Sequence, residues 1–338
     1  MAKIRAVVCG AGGISNAWFP PLKHEKVEVV GVVDLNIDAA KDVIERYELG
    51  CEASTDLKPT LKKTKPDFVC DLTVPEAHCT VTCTALKAGC HVVSEKPMAN
   101  SMAEARKMVR TSEQTGKMYM VSQSRRWDLN HDRVRRTVTG GKIGNLTTAN
   151  CDFYIGAHFG GFRDAMPSPL ILDMAIHHFD LARYVTGEDP VAVYAQEFNP
   201  KGSWYKGDVA ASCIFEMTNG VVFTYRGSWC AEGCQTSWNG DWRLIGDKGT
   251  LLYDHDQEPN GQVIAAKGGF TRAMKDIKVP KGSMKYGGMH GGLREMLAFL
   301  RTGKPSQCEC HDNIKSLAMV FGVIESSKKG RRIPIRAL

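Results

Sequence analysis

The sequence predicts an α/β fold in two parts: an N-terminal doubly wound parallel sheet, then a C-terminal α+β domain with a large open, mainly antiparallel sheet. Three observations predict it. Short β-branched apolar runs alternate with helical segments from Ile4 to Val121, as strands and crossover helices do. The first run ends in a glycine-rich turn and the second in an acid. From Leu146 to Tyr253 strand-like runs follow one another with few helices between them. The 338 residues suit two domains, expected at 1–123 and 124–338, with the last helix packing back on the first.

Ile4–Cys9 reads as a strand buried on both faces. It runs into Gly10-Ala11-Gly12-Gly13-Ile14-Ser15, and Val27–Val33 ends in Asp34. Strand, turn, helix, strand and acid in that order form a Rossmann dinucleotide fingerprint. Gly10 permits the tight turn, and Gly12 lets a pyrophosphate approach the backbone. Gly13 and Ile14 open a helical segment whose free N–H groups face the phosphates. Ser15 keeps that segment near the strand. Asp34 falls where a carboxylate holds both ribose hydroxyls and repels a 2′-phosphate, so NAD is expected over NADP. An ordinary glycine-rich turn is the alternative.

Ile37–Tyr47 is helical in pattern, Phe68–Thr73 a strand, and Glu76–Ala88 a helix closed by Gly89. His91–Ser94 is a strand that runs into Glu95-Lys96-Pro97. Ala103–Thr115 is a helix and Met118–Val121 a strand. Gly10, Asp34, Thr73 and Glu95–Pro97 all fall at carboxyl ends of strands, where ligands of such sheets bind. Lys96 is either a surface lysine on a loop or one aimed into the cofactor cleft; this segment alone leaves both open.

Gln123-Ser124-Arg125-Arg126-Trp127 follows the last strand of the first domain. After a helix through Val138 and a strand at Leu146–Tyr154, Ile155–Pro169 reads as a Gly- and Pro-rich loop. Ile171–Tyr184 reads as a helix stopped by Gly187. Its Asp173, His177 and Asp180 are spaced i, i+4, i+7 and share one face. Asp173 is within reach of the His177 ring, and His178 lies about 100° away. The plain alternative is a hydrogen-bonded core histidine, or a solvated polar stripe. Val191–Phe198, Val209–Met217, Val221–Trp229, Thr236–Ile245 and Thr250–Tyr253 read as strands, with Val221, Phe223, Tyr225 and Trp229 on one face. Trp204, Tyr205, Trp229, Trp238 and Trp242 suit core or subunit packing better than sugar stacking. Gly291–Arg301 and Asp312–Ser327 are helical.

GAGGIS, the strand end Thr73-Val74-Pro75 with His78, Glu95-Lys96-Pro97 and D-x-x-x-H-x-x-D at 173–180 together resemble the Gfo/Idh/MocA family of glucose–fructose oxidoreductases and inositol dehydrogenases. The resemblance spans essentially the whole chain. It implies that Lys96 lies beside the nicotinamide and contacts the reacting hydroxyl, acting with Asp173 and His177. It places Thr73, Pro75, His78 and Glu95 with the cofactor, Asp180 with the substrate, and oligomer contacts on the open face of the second sheet. Arg126, His158 and Arg163 are further expected substrate contacts.

The activity so implied is NAD-dependent oxidation of a secondary hydroxyl of a sugar, polyol or glycoside. His177 takes the hydroxyl proton, Asp173 orients the imidazole, and Lys96 steadies the developing alkoxide. Alternatives are a redox-neutral glycosidase cycling through a keto-sugar, a non-catalytic NAD-binding sensor, and reduction of imines, biliverdin or dihydrodiols.

Charged residues at 24% and apolar residues at 43% are globular values. The net charge of +7 comes with no long basic face interleaved with aromatics, so no nucleic-acid partner is expected. No run is long enough to span a bilayer. The fingerprint strand begins at Ile4, so no leader is expected, and the 12 cysteines read as reduced thiols of a cytoplasmic protein; the homo-oligomer is what the family resemblance implies. Neither His78, Cys79 and Cys83 nor Cys308, Cys310 and His311 has a paired C-x-x-C partner, so no metal is expected.

Overall fold

The computed structural model describes residues 3–266 and 268–338. These fall into two compact units. One holds the described residues up to Ser124 together with Tyr286–Leu317 and Ala337–Leu338; the other holds those of Arg125–Lys285 and Ala318–Arg336.

The first unit is built on six strands: β1 (Arg5–Cys9), β2 (Glu28–Val33), β3 (Glu52–Ser54), β4 (Phe68–Asp71), β5 (His91–Ser94) and β6 (Tyr119–Val121). They are all parallel, in the order β3-β2-β1-β4-β5-β6. Val7, Val8, Val69, Val92 and Val93 are fully buried, as expected of strands covered on both faces. The winding reverses between β1 and β4, which opens a crevice beyond their carboxyl ends. The helices are α1 (Phe19–His24), α2 (Ile37–Arg46), α3 (Leu57–Thr64), α4 (Pro75–Lys87) and α5 (Met102–Thr115).

Local chemistry sets their ends. Asn36 accepts the N–H groups of Asp38 and Ala39 at the start of α2. Ser101 caps α5, which stops at Gly116 with φ +63. α3 and β3 escape a reading by apolar period. Lys58, Lys62 and Lys63 make α3 look like a solvated loop, yet the helix seats Thr60 and Leu61 inward. The segment after the glycine turn also differs from the expected helix. It begins as a tight 3₁₀ turn, Gly13–Ala17, and only then becomes α1, because Pro20 and Pro21 have no N–H to continue the ladder.

The second unit contains α6 (Leu129–Thr139), β7 (Leu146–Tyr154), α7 (Phe162–Ala165), a π-helical segment at Leu170–Ala175, and α8 (Ile176–Thr186). The strands β8 (Pro190–Phe198), β9 (Ala210–Met217), β10 (Val222–Ser228), β11 (Asp241–Gly246), β12 (Gly249–Tyr253), β13 (Asn260–Ile264) and β14 (Met274–Asp276) follow. Next come α9 (Gly288–Thr302), which lies in the first unit, then α10 (Cys310–Lys329) and β15 (Ile333–Pro334).

The second sheet has nine strands, ordered β14-β13-β12-β11-β7-β10-β9-β8-β15. Only the β7–β10 pairing is parallel. Phe179 of α8 packs edge-on against Phe215 and Tyr225 of the sheet, at 5.0 and 5.2 Å. The strand expected from Thr236 begins at Asp241 instead; a turn at Ser237–Gly240 precedes it, closed by the Gly240 N–H on the Ser237 carbonyl at 3.1 Å, with Gly240 at φ +75.

Candidate active site

The glycine turn has one closed side and one open side. Gly10 sits at φ +94, and a Cβ there would lie 2.5 Å from the Leu72 carbonyl oxygen. β1 and β4 come too close at that point for any other residue. A Cβ on Gly12 or Gly13 would meet nothing within 4 Å. That free space on the crevice side fits a pyrophosphate laid against the backbone, so the turn suits a dinucleotide. Ser15 is buried and donates its hydroxyl to the Gly12 carbonyl at 2.7 Å. Asp34 stands at the end of β2 and accepts the N–H of Ala11 at 2.7 Å and that of Asn36 at 2.8 Å. Its carboxylate is thereby aimed at the turn. Ile14, Leu35 and Val74 are 38%, 93% and 62% exposed. Ile14 lies in the 3₁₀ turn after the glycines, and Leu35 and Val74 follow β2 and β4; Leu35 carries no motif signal.

Beneath these ends lies a buried polar lattice. Thr73 and Thr82 donate to the two oxygens of Asp71 at 2.6 and 2.9 Å. Burial pushes that carboxyl up; the nearby His78 and the two hydroxyls act against the rise. His78 was expected at the cofactor. It is instead fully buried, with Nδ1 2.9 Å from the Pro97 carbonyl and Nε2 3.0 Å from the Thr73 carbonyl, so it ties two loops together from below. Pro75 takes the first turn of α4. Glu95 likewise turns inward, 6% exposed, and accepts Trp18 Nε1–H at 2.8 Å. Burial raises its carboxyl against that bond and the neighbouring Lys96 charge. Lys96 is half-buried and joined to Pro97 by a cis peptide bond.

In the second unit the expected polar helix is wound in two ways. Leu170–Ala175 is π-helical and α8 begins at Ile176. π turns are wider than α turns and gather at functional sites, and this one re-phases Asp173 against α8. Every side chain of α8 is buried except that of His177. Asp173, 16% exposed at its side chain, accepts Arg163 Nε–H at 2.6 Å. His178 is fully buried, with Nε2 3.2 Å from Arg125 Nη1. Burial and the Arg125 charge hold it well below the usual imidazole range, hence neutral.

Arg126 and Asp180 were expected to touch substrate. They are 4% and 1% exposed and face each other in a bidentate pair, with Nε and Nη2 at 2.7 and 2.6 Å from the carboxylate. A guanidinium fork matched to a carboxylate is a stable buried arrangement, and it braces the start of the second unit against α8. His158 lies flat on Trp204 at 3.7 Å and reaches Glu232 at 2.7 Å. Glu232 had no sequence signal. Of the aromatics, Tyr205, Trp229 and Trp242 are buried, whereas Trp238 is 46% exposed.

Among the described residues, three metal-capable side chains come together at His24, Glu25 and His290 and again at Glu309, Cys310 and His311. In the first group Glu25 is already paired with Arg294 at 3.0 Å. No helix among the described residues is long and apolar enough to cross a membrane.

Comparison with known proteins adds to this geometry. Residues 4–123 match the model described as "Oxidoreductase family, NAD-binding Rossmann fold", and 131–252 match the "GFO/IDH/MocA C-terminal domain". An uncharacterised protein of Sinorhizobium fredii, y4oX, is 28% identical over 97% of this chain and 94% of its own. Inositol 2-dehydrogenase of Rhizobium meliloti is 24% identical over 98% and 99%. D-glucoside 3-dehydrogenase of Escherichia coli is 29% identical over 59% of each chain. In fold, an oxidoreductase from Agrobacterium radiobacter solved with NAD+, L-tartaric acid and magnesium superposes with a TM-score of 0.86, at 19% identity, over 99% of both chains. Two family models that adjoin along most of the sequence, over a six-stranded parallel sheet and a nine-stranded mainly antiparallel one, make the conclusion plain: the chain belongs to the Gfo/Idh/MocA family of NAD-binding oxidoreductases.

Proposed function

We propose that this oxidoreductase oxidises a secondary hydroxyl of a sugar, polyol or glycoside, using NAD in preference to NADP. The observation that carries the reading is His177, the one side chain of α8 that is not buried, one turn from Asp173. A neutral imidazole has one ring nitrogen that accepts, so it can take the hydroxyl proton. Asp173 orients that ring and stabilises its protonated form, and Arg163 holds Asp173 in turn. Lys96 donates to the same substrate oxygen and stabilises alkoxide charge. Bound NAD supplies the acceptor for the hydrogen and electron pair leaving the carbinol carbon. The names of two relatives, a glucoside dehydrogenase and an inositol dehydrogenase, support the substrate class. Asp34 supports the cofactor choice, since its carboxylate repels a 2′-phosphate.

A second copy of the chain is the expected partner of the outer sheet face. Tyr194 and Ile214 pair across β8 and β9 and are 48% and 52% exposed, with Val191 and Phe198 nearby at 43% and 45%. Contiguous exposed apolar side chains of this kind mark contact surfaces.

The test is a panel of polyols, free sugars and glycosides incubated with NAD and with NADP. Reduced cofactor is followed by absorbance, and products are analysed for bond cleavage. Stoichiometric NADH with an intact keto product supports the reading. Glycoside cleavage with no net NADH indicates redox-neutral cycling instead.

A further inference from the structure

The loop between β7 and the π-helical segment displays aromatic rings that the proposed chemistry leaves unused. Phe159 and Phe162 are 44% and 68% exposed, and Trp238, from the turn before β11, is 46% exposed. They are not scattered. The Phe159 and Trp238 ring centres are 6.2 Å apart. The Arg163 guanidinium lies 5.0 Å from the Phe159 ring centre and 4.8 Å from that of Phe162. The Nε of the same guanidinium donates to Asp173 at 2.6 Å. The rings therefore form a shelf that continues outward from Asp173, with Arg163 as the joint.

Such a shelf has a defined chemistry. Aromatic faces take up flat rings, or the C–H face of a pyranose, by stacking. Exposed apolar patches that adjoin a polar site mark ligand surfaces. Beside it, the pair His158 and Glu232, 62% and 63% exposed at the side chain, offers a donor and an acceptor for hydroxyls. A single-ring polyol reacting at His177 would leave these faces in water.

We infer that Phe159, Phe162 and Trp238 form an aglycone subsite, and that the substrate is a glycoside carrying a second ring, aryl or pyranose, rather than a free polyol. The inference rests on the assignment of Asp173 and His177 as the reacting centre. The sugar to be oxidised lies at His177, and its aglycone lies along the shelf.

The test compares phenyl and methyl β-D-hexopyranosides and myo-inositol as substrates of the NAD-loaded enzyme, read by NADH absorbance. The expected kcat/KM for phenyl over methyl glycoside is about tenfold, carried by KM and equivalent to about 1.4 kcal/mol. In Phe162→Ala and Trp238→Ala the ratio should fall to near unity. Both side chains are exposed, and thermal melting checks that the fold is kept. Equal kcat/KM for phenyl and methyl glycosides in the native enzyme overturns the inference and leaves the dehydrogenase reading standing. So does a preference that survives both substitutions, or oxidation of inositol alone. Oxidation of no member of the panel overturns both.

Discussion

Trp18 Nε1 donates to Glu95 Oε1 at 2.8 Å, in a place where Trp18 is fully buried and Glu95 is 6% exposed. The bond joins the segment that leaves the glycine turn to the loop that carries Lys96. Replacing Trp18 by Phe removes the donor and leaves the buried carboxyl short of a partner, which costs about 1–3 kcal/mol. Urea unfolding should record that loss, and NAD titration should record weaker binding because the turn loses its tie. Unchanged stability and affinity would show the bond to be incidental.

Lys96→Ala and His177→Ala should each lower turnover about 10²-fold or more, since the proposed function has each of them act on the reacting hydroxyl. NAD affinity, measured by fluorescence titration, should stay nearly intact. Normal turnover in either variant refutes that variant's assignment.

Asp34→Ala should weaken NAD and narrow the proposed gap between NAD and NADP, because the proposed function sets this carboxylate against the 2′ position. Cofactor dissociation constants on the native and altered chains decide this. An unchanged preference means that another group anchors the ribose.

The Arg126–Asp180 pair is a brace, so its loss should appear in stability first. Asp180→Ala leaves a buried guanidinium without its carboxylate and is expected to cost about 3–5 kcal/mol in denaturant unfolding. Replacing both residues by apolar ones should cost less than the single change. A folded Asp180→Ala enzyme with native stability and a raised KM would return Asp180 to the substrate.

Glu197 makes stability depend on pH. Burial pushes its carboxyl up to about 7 from the ordinary 4.5; the Ser168 hydroxyl at 3.4 Å opposes the rise, Asp208 adds to it, and Lys328 opposes it. A raised folded value means that the stabilising contribution is complete below about 4.5 and is lost as pH rises through about 7. The native chain should lose on the order of 1–3 kcal/mol between pH 5 and pH 8. Glu197→Gln, which stays neutral, should lose less. Parallel losses in the two chains would assign the titration to another group.

The sequence by itself determined the parallel sheet, its glycine turn and the position of Asp34. Each follows from local rules: β-branched runs buried on both faces, a backbone that must turn at positive φ, and an acid one strand later. It also marked 173–180 as the polar face of an apolar helix, because spacing along one helix is a local property. Tertiary structure alone decided which of those polar groups are turned inward. His78, Glu95, Arg126 and Asp180 are as polar in the sequence as Lys96 and His177, yet the first four are buried against partners distant in the chain. The π winding that re-phases Asp173, and the aromatic shelf beside Arg163, were hidden for the same reason. Both arise from where the loop and the sheet lie against one helix, and no residue spacing within that helix encodes the packing of its neighbours.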